Sequence, residues 1–271
     1  MNDLLNLDYE AVARSLSNYV TSFVARSEAR GAVVGVSGGV DSAATLALLA
    51  QALRDKVVAL IMPDPAVTPS QDVDDALALV REYGVDYHYV DIGSIVASYA
   101  RAIPLELSRR SLGNIRARIR MTLLYAYANE LGYLVAGTGD RSEILIGYFT
   151  KYGDGGADFF PISCLYKTQV RHFARHLGVP ERIAFKPSSP RLWPGHLAEE
   201  ELGLRYEDID LILYALFDLG LEPKEAARAT GKSVDVVEKV LEMHRRSSHK
   251  RMLPAMPKPE EHVWRFRRSS A

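Results

Sequence analysis

The sequence predicts an α/β protein, a doubly wound parallel sheet with a helical C-terminal part. Three observations carry that prediction. Residues 32–37 and 57–62 read as short buried strands, with further strands at 85–92 and 133–137. The segments between them show helical spacing, and alternating strands and helices imply a parallel sheet covered on both faces. After Gly139 the strand signal stops and only helical patterns return.

Each element has its own warrant. Tyr9, Val12, Leu16, Tyr19, Val20 and Phe23 recur at helical spacing within 8–28. The first strand, 32–37, leads into a helix over 41–53. The second, 57–62, ends at Pro63, which has no N–H to donate to a ladder. Ser70 is placed to cap a helix running to Tyr83. A third strand at 85–92, a helix at 94–101 and a long helix at 114–131 precede the fourth strand, 133–137. Residues 147–161, rich in glycine and aromatics, form a loop too long for a plain connector and suit a lid. Helices are expected at 167–177, 206–219, 223–230 and 233–246. Three prolines from Pro254 onward and the basic stretch 265–268 predict a mobile tail over 254–271. The expected organisation is one domain, 1–271, with its core sheet in about 30–140 and its helical part in about 167–250.

Composition narrows the class. A net charge of −1 gives no electrostatic case for nucleic acid or for a membrane surface. The single cysteine, Cys164, excludes an intrachain disulfide and a multi-cysteine zinc site, and fits a cytoplasmic protein. It has no neighbouring histidine, so a buried packing role is expected. The first ten residues lack the apolar core of a signal peptide, and no apolar run is long enough to span a bilayer.

The chemistry concentrates in four clusters. Ser37-Gly38-Gly39-Val40-Asp41-Ser42 joins the first strand to its helix. Two glycines allow close approach of a ligand, and the unpaired N–H groups at the helix start favour phosphate. No Gly-Lys-Ser/Thr follows, so this is not a Walker A loop. The hydroxyls of Ser37 and Ser42 can hold a pyrophosphate, and Asp41 can hold the Mg²⁺ that neutralises it. A plain strand–helix turn with Asp41 or Ser42 as cap accounts for the same residues. The second cluster, Gly113-Asn114-Ile115-Arg116-Ala117-Arg118-Ile119-Arg120-Met121, with Tyr125 beyond, puts Arg116 and Arg120 on one helix face and Arg118 on the other. The third holds Thr138, Asp140 and Glu143 after the fourth strand, then Lys151, Asp154 and Asp158 among aromatics and glycines. Asp41 and Glu143, from two strand ends, make a candidate Mg²⁺ site, or else serve as helix caps. In the fourth, Lys167 stands at a helix start, where a cation calls for a nearby anion such as phosphate. Lys186-Pro187-Ser188-Ser189-Pro190 and His249-Lys250-Arg251 follow.

Ser-Gly-Gly-Val-Asp-Ser matches the pyrophosphate loop of the N-type ATP pyrophosphatases. Together with Gly-Asn-Ile-Arg-Ala-Arg-Ile-Arg-Met, the lid segment Gly147 to Asp158 and Leu-Tyr-Lys-Thr-Gln, it makes nearly the whole chain resemble the ammonia-dependent NAD synthetases. The resemblance implies a Rossmann-like fold of the adenine nucleotide alpha hydrolase type. It implies amidation of nicotinate adenine dinucleotide with ATP and ammonia, Mg²⁺ as cofactor and a homodimer with sites near the interface. Ser37 to Ser42, Thr138, Lys167 and Ser189 would contact ATP. Asp41 and Glu143 would bind Mg²⁺. Asn114, Arg118, Tyr125, Lys151, Asp158, His249 and Lys250 would contact the dinucleotide, and Asp154 would receive ammonia. Two departures stand out. Ser188-Ser189 replaces a common Pro-Thr, and His196-Leu197-Ala198-Glu199 replaces a common Gln with an Asp-Glu pair. The segment 63–70 differs from the commoner bacterial version and carries no assignment.

Two other readings compete. A GMP-synthetase-like or tRNA-modifying pyrophosphatase would share the first motif but not the lid, and a tRNA enzyme would need a basic face. A helix–turn–helix regulator would use 225–243, but Asp235, Glu238 and Glu242 make a poor surface for phosphates, and a helical hairpin packed on the core fits the same spacing. His172 and His176 lie four apart without a third ligand, which favours a solvated helix face over a metal site.

Overall fold

The computed structural model describes residues 2–254 and 256. Four parallel strands, β1 (Ala32–Gly35), β2 (Val57–Ile61), β3 (Asp86–Tyr89) and β4 (Leu134–Ala136), lie in the order β3-β2-β1-β4. Helices α1 (Asn2–Leu5) and α2 (Tyr9–Arg26) precede the sheet. Helix α3 (Val40–Leu53) follows β1, α4 (Ser70–Glu82) follows β2, and α5 (Gly93–Ala102) and α6 (Arg109–Leu131) join β3 to β4.

Alternation along the strands builds a core on each face. Ala32, Val34, Ala59 and Ile61 pack with α2, α3 and α4. Val33, Leu60 and Val135 point the other way, onto Ile92, Val96 of α5 and Ile119 of α6. The strand order reverses between β1 and β4, and the crevice outside the carboxyl ends at such a point is where ligands bind. Beyond the sheet come α7 (Arg141–Ile146), α8 (Lys167–His176), α9 (Glu181–Ala184), α10 (Ala198–Leu202), α11 (Tyr206–Phe217), α12 (Pro223–Thr230) and α13 (Val234–Arg246). Helices α11, α12 and α13 share a separate core with Ile146 and Tyr166. Ala226, Ala227, Val237 and Val240 are buried there, so the segment with helix–turn–helix spacing is a hairpin packed on its neighbours.

The differences from expectation have local causes. Helix α6 begins at Arg109, because the Ser108 hydroxyl accepts the Ser111 N–H at 3.2 Å. The short helices α1, α7, α9 and α10, of four to six residues, are too brief to show a period. After Gly139 the only sheet-like pairing among the described residues is a single parallel bridge, Ala136 to Phe159, which ties the end of the lid segment to β4. Cys164 is exposed, against the expected packing role. It stands at the tip of a turn closed by Leu165 N–H on the Ile162 carbonyl, and those two neighbours take the buried positions. The expected tail lies outside the described residues except for Pro254 and Met256.

One buried ion pair fixes the crevice wall. Arg116 Nε lies 2.6 Å from Asp64 Oδ2, with side-chain exposures of 7% and 2%. Arg116 Nη1 also reaches the Leu192 carbonyl at 3.0 Å, so α6, the end of β2 and the segment before α10 are joined. Asp64→Ala leaves Arg116 buried without its counter-charge and is expected to cost about 3–5 kcal/mol in urea unfolding. A loss below ~1 kcal/mol, as for an exposed pair, would show that water reaches the guanidinium.

Candidate active site

The β1–α3 loop is shaped by one glycine. Gly38 has φ of +77°, and a Cβ there would meet the Asp72 carbonyl at 2.3 Å, so only glycine lets the loop seat on the first turn of α4. Ser42 Oγ accepts the Ser37 N–H at 3.1 Å and donates to the Gly39 carbonyl at 3.0 Å, with Ser37 Oγ 3.2 Å away. The hydroxyls thus brace the loop, while Gly39 is the N-cap of α3 and makes no side-chain cap bond. The first N–H groups of α3 remain free to face an anion. Lys186 Nζ bonds Asp72 at 2.5 Å and Asp75 at 2.8 Å, and lies 3.4 Å from the Gly38 carbonyl. Arg191 Nε bonds Asp72 at 2.6 Å. The sequence reading missed this Asp72–Lys186–Arg191 cluster beside the loop. Its only signal was Lys186 next to a proline-bounded pair of serines.

Behind the loop sits a fully buried lysine. Lys167 Nζ lies 2.6 Å from Asp41, 2.8 Å from Asp140 and 2.8 Å from Glu143. Three carboxylates, not a phosphate, answer this cation at the start of α8. Burial pushes the Asp140 carboxyl up to about 6 and Glu143 well above the usual carboxylate range; the Lys167 ammonium opposes this and the neighbouring carboxylates reinforce it. Burial alone would lower the Lys167 ammonium, but Asp140, Asp41 and Glu143 together raise it. Formally, one ammonium against three carboxylates leaves two negative charges in excess. Asp41 Oδ1 and Asp140 Oδ2 are buried without a hydrogen-bond partner, the latter because its approach to Nζ lacks hydrogen-bond geometry. Hard oxygen donors within 4.8 Å of one another, with surplus negative charge, fit a divalent cation such as Mg²⁺. Asp140 received no role of its own from the sequence. It does cap α7, accepting the Glu143 N–H at 2.8 Å, and it joins the cluster as well. Beneath lies Asp210, fully buried, which accepts from Ser142 Oγ at 2.5 Å, Thr168 N–H at 2.8 Å and Thr168 Oγ1 at 2.7 Å. Ser142 Oγ in turn accepts the Lys167 N–H at 2.9 Å, so one carboxylate positions both α7 and α8.

The lid segment rests on α6. A Cβ at Gly153 would lie 2.9 Å from Ala117 Cβ, so glycine permits the contact. Asp154 Oδ1 accepts the Thr150 N–H at 2.9 Å, and Thr150 Oγ1 donates to Asn114 Oδ1 at 2.9 Å. Asp154 is exposed to the cavity yet ringed by protein, and that desolvation raises its carboxyl above the ordinary value, against the Thr150 and Lys250 contributions. Lys250 Nζ holds the carbonyls of Gly147 and Phe149 at 2.7 and 2.6 Å. At the rim, Glu201 Oε2 bonds Tyr148 Oη and His196 Nε2, each at 2.8 Å, and the His196 ring stacks on Trp193 at 3.5 Å. The histidine found where glutamine is common thus still makes a hydrogen bond, and burial keeps it neutral by lowering its pKa.

These walls enclose a cavity of about 550 Å³ at the carboxyl ends of β1, β2 and β4. The residues 37–42, Thr138, Glu143, Asp154, Ser189, Asn114 and Lys250 line it, and Lys167 sits directly behind Asp41 and Glu143. Arg118, Tyr125, Lys151, Asp158 and His249 do not line it. Arg118 donates to the Lys151 carbonyl at 3.2 Å and Lys151 Nζ to the His249 carbonyl at 2.8 Å. Tyr125 Oη donates to Asp158 Oδ1 at 3.1 Å, and Asp158 Oδ2 accepts the Val135 N–H at 2.7 Å. These five follow the outward side of α6 and its neighbours. His172 and His176 pack near Tyr9 and join no metal-ligating group among the described residues.

Comparison with known proteins places the chain. A family model described as NAD synthase matches residues 12–254. The NH(3)-dependent NAD(+) synthetase of Hyperthermus butylicus is 63% identical over 99% of this chain and 98% of that relative. Among solved structures, an NMN synthetase from Francisella tularensis superposes with a TM-score of 0.82 at 31% identity, covering 93% of this chain and 99% of that one. An NH3-dependent NAD synthetase from Campylobacter jejuni superposes with a TM-score of 0.79 at 29% identity, over 93% and 100%. Matched in sequence over nearly its full length and in fold at the crevice just described, the chain belongs to the NAD synthase family.

Proposed function

We propose that this protein is a ligase that amidates nicotinate adenine dinucleotide to NAD with ammonia and ATP, through an acyl-adenylate, releasing AMP and pyrophosphate. The observation that carries the reading is a single cavity shared by the anion-facing loop with Asp41, by Glu143 and by Asp154. The name of the Hyperthermus relative supports the same activity.

The residues divide the work. Residues 37–42, Thr138 and Ser189 hold the phosphates and nucleotide of ATP. Asp41 and Glu143, with Asp140, hold Mg²⁺, which when bound offsets charge on the pyrophosphate. Lys167, expected to contact ATP, lies buried behind Asp41 and Glu143 and acts by holding these two carboxylates toward the pyrophosphate. The substrate carboxylate attacks the α-phosphorus, an oxygen–phosphorus bond forms, and pyrophosphate departs with the bonding pair. The mixed anhydride that results is open to attack by water, and the lid over α6 excludes it. Ammonia then attacks the carbonyl carbon and AMP leaves. Ammonium predominates near neutral pH. Asp154, in its ionised form, attracts that cation and takes its proton. Its raised pKa means this base is lost as pH falls through the raised value.

The dinucleotide occupies the side marked by Asn114 and Lys250 and extends along Arg118, Tyr125, Lys151, Asp158 and His249. Those five lie outside the cavity, and a homodimer would set a second copy against them. Edge strand β3, with Tyr87 and Tyr89 exposed, adds apolar surface. No described helix is long and apolar enough to cross a membrane, and we place the protein in the cytoplasm.

Incubation with ATP, Mg²⁺, ammonium and either the dinucleotide acid or the corresponding mononucleotide acid is expected to give NAD, AMP and pyrophosphate from the dinucleotide. Formation of ADP would refute the adenylation chemistry, and amidation of the mononucleotide alone would move the substrate assignment towards the Francisella neighbour.

Asp154→Asn separates the half-reactions. Asparagine keeps shape and hydrogen-bonding reach but neither attracts ammonium nor takes its proton. The variant is expected to release pyrophosphate at a near wild-type rate, to form NAD slowly, and to recover in part as rising pH supplies free ammonia. Equal loss in both steps without recovery at high pH would reduce Asp154 to a residue that orders the lid.

A further inference from the structure

Five cationic side chains among the described residues line the cavity: Arg110, Arg120, Lys186, Arg191 and Lys250. Four are well partnered. Arg110 pairs with Glu201 at 3.2 Å, Lys186 with Asp72 and Asp75, and Arg191 with Asp72, while Lys250 donates to two carbonyls. Arg120 differs. Its Nε donates to the Met62 carbonyl at 2.9 Å, and among the described residues it makes no other hydrogen bond and no ion pair. Both Nη groups are left without a protein partner.

The surroundings sharpen this. The nearest carboxylate to offset Arg120 is Asp64, but Asp64 Oδ2 is held by Arg116 at 2.6 Å and its Oδ1 accepts the Ala66 N–H at 3.0 Å. Burial lowers the Arg120 guanidinium to about 10; Arg116 adds to that, while Asp64 and Asp154 oppose it. A half-buried guanidinium on the cavity wall, with no counter-ion of its own among the described residues and both Nη groups unpaired, is open to an arriving anion. Arg116, one turn earlier on the same face, shows the contrast, since its head group is satisfied by the fold itself. Arg120 stands at the end of β2, on the wall of the cavity that the anion-facing loop and Asp154 also line.

We propose that Arg120 is a substrate-binding residue whose free Nη groups hold an oxyanion at the adenylation centre, either the acceptor carboxylate or the α-phosphoryl group to which it becomes bonded. This rests on the function proposed above. A planar guanidinium offers two parallel N–H donors, which match both groups. During adenylation the carboxylate oxygen bonds to phosphorus as the bond to pyrophosphate breaks, and no proton moves. Arg120 remains protonated throughout and acts by charge and direction. NAD, the product, carries an amide where the acceptor carries the carboxylate, so a guanidinium aimed at that carboxylate also favours product release.

The test compares wild type with Arg120→Met and Arg120→Lys. Urea unfolding is expected to show Arg120→Met folded, with a midpoint near wild type, because the guanidinium makes one hydrogen bond and no ion pair among the described residues. Single-turnover pyrophosphate release is expected to fall by about 10²–10³-fold in Arg120→Met, the usual effect of losing one preorganised charge, and to recover in part in Arg120→Lys. Titration with nicotinate adenine dinucleotide and with NAD, without ATP, separates the two oxyanions. A wild-type preference for the acid that vanishes in Arg120→Met assigns the carboxylate. An unchanged preference with slowed pyrophosphate release assigns the α-phosphoryl group. A folded Arg120→Met with wild-type release and wild-type preference overturns the proposal alone. A wild-type protein that amidates no nicotinate nucleotide overturns the function and the proposal with it.

Discussion

The Lys167 ammonium is the point on which the crevice depends. It has no water, and its three anionic partners come from both sides of the switch point: Asp41 after β1, and Asp140 and Glu143 after β4. A buried cation of this kind is tolerable only while its partners stay in place. It therefore ties the two strand ends and α8 into one rigid wall. The surplus of carboxylate charge has the opposite consequence for a nucleotide. A polyphosphate approaching Asp41 and Glu143 would meet like charge, which a cation held between them would offset.

The remaining charges follow a similar division between fold and ligand. Asp72 and Asp75 neutralise Lys186 and Arg191 next to the loop, Asp64 neutralises Arg116, and Glu201 gathers Tyr148, His196 and Arg110 at the rim. Arg120 falls outside this scheme, its Nη groups unpaired among the described residues on the cavity wall. Asp210 supports the arrangement from below without reaching the cavity, since its three accepted hydrogen bonds orient Ser142 and Thr168, each adjacent to a member of the cluster.

Legibility in the sequence tracked physical range. The strands and long helices were readable because apolar periodicity is a local record of which face is buried, and β1, β2, α3 and α4 lie where that record put them. The six-residue loop 37–42 was readable because its glycines and hydroxyls act within one turn of chain. Asp140 was under-read because its second role depends on Lys167, 27 residues later, and nothing local distinguishes a cap from a cap that is also an ion-pair partner. Asp72 and Arg191 were missed for the same reason, being brought together across 119 residues by the packing of the segment after α9 on α4. Cys164 misled because cysteine is usually buried, whereas here the turn turns its neighbours inward and leaves it at the tip.

The segment 147–158 borders the cavity and lies close against α6. Close approach is a matter of small side chains. Gly153 meets Ala117, and Gly156 would bring a Cβ within 3.0 Å of Met121, so the lid segment and α6 touch almost backbone to side chain. Asn114, Arg118, Met121 and Tyr125, spaced four, three and four residues apart, share one face of α6. That face begins at the cavity, where Asn114 bonds Thr150, and continues outward to Tyr125 and Asp158. The stripe thus starts on the cavity wall, at Asn114 and Met121, and ends outside it, at Arg118 and Tyr125.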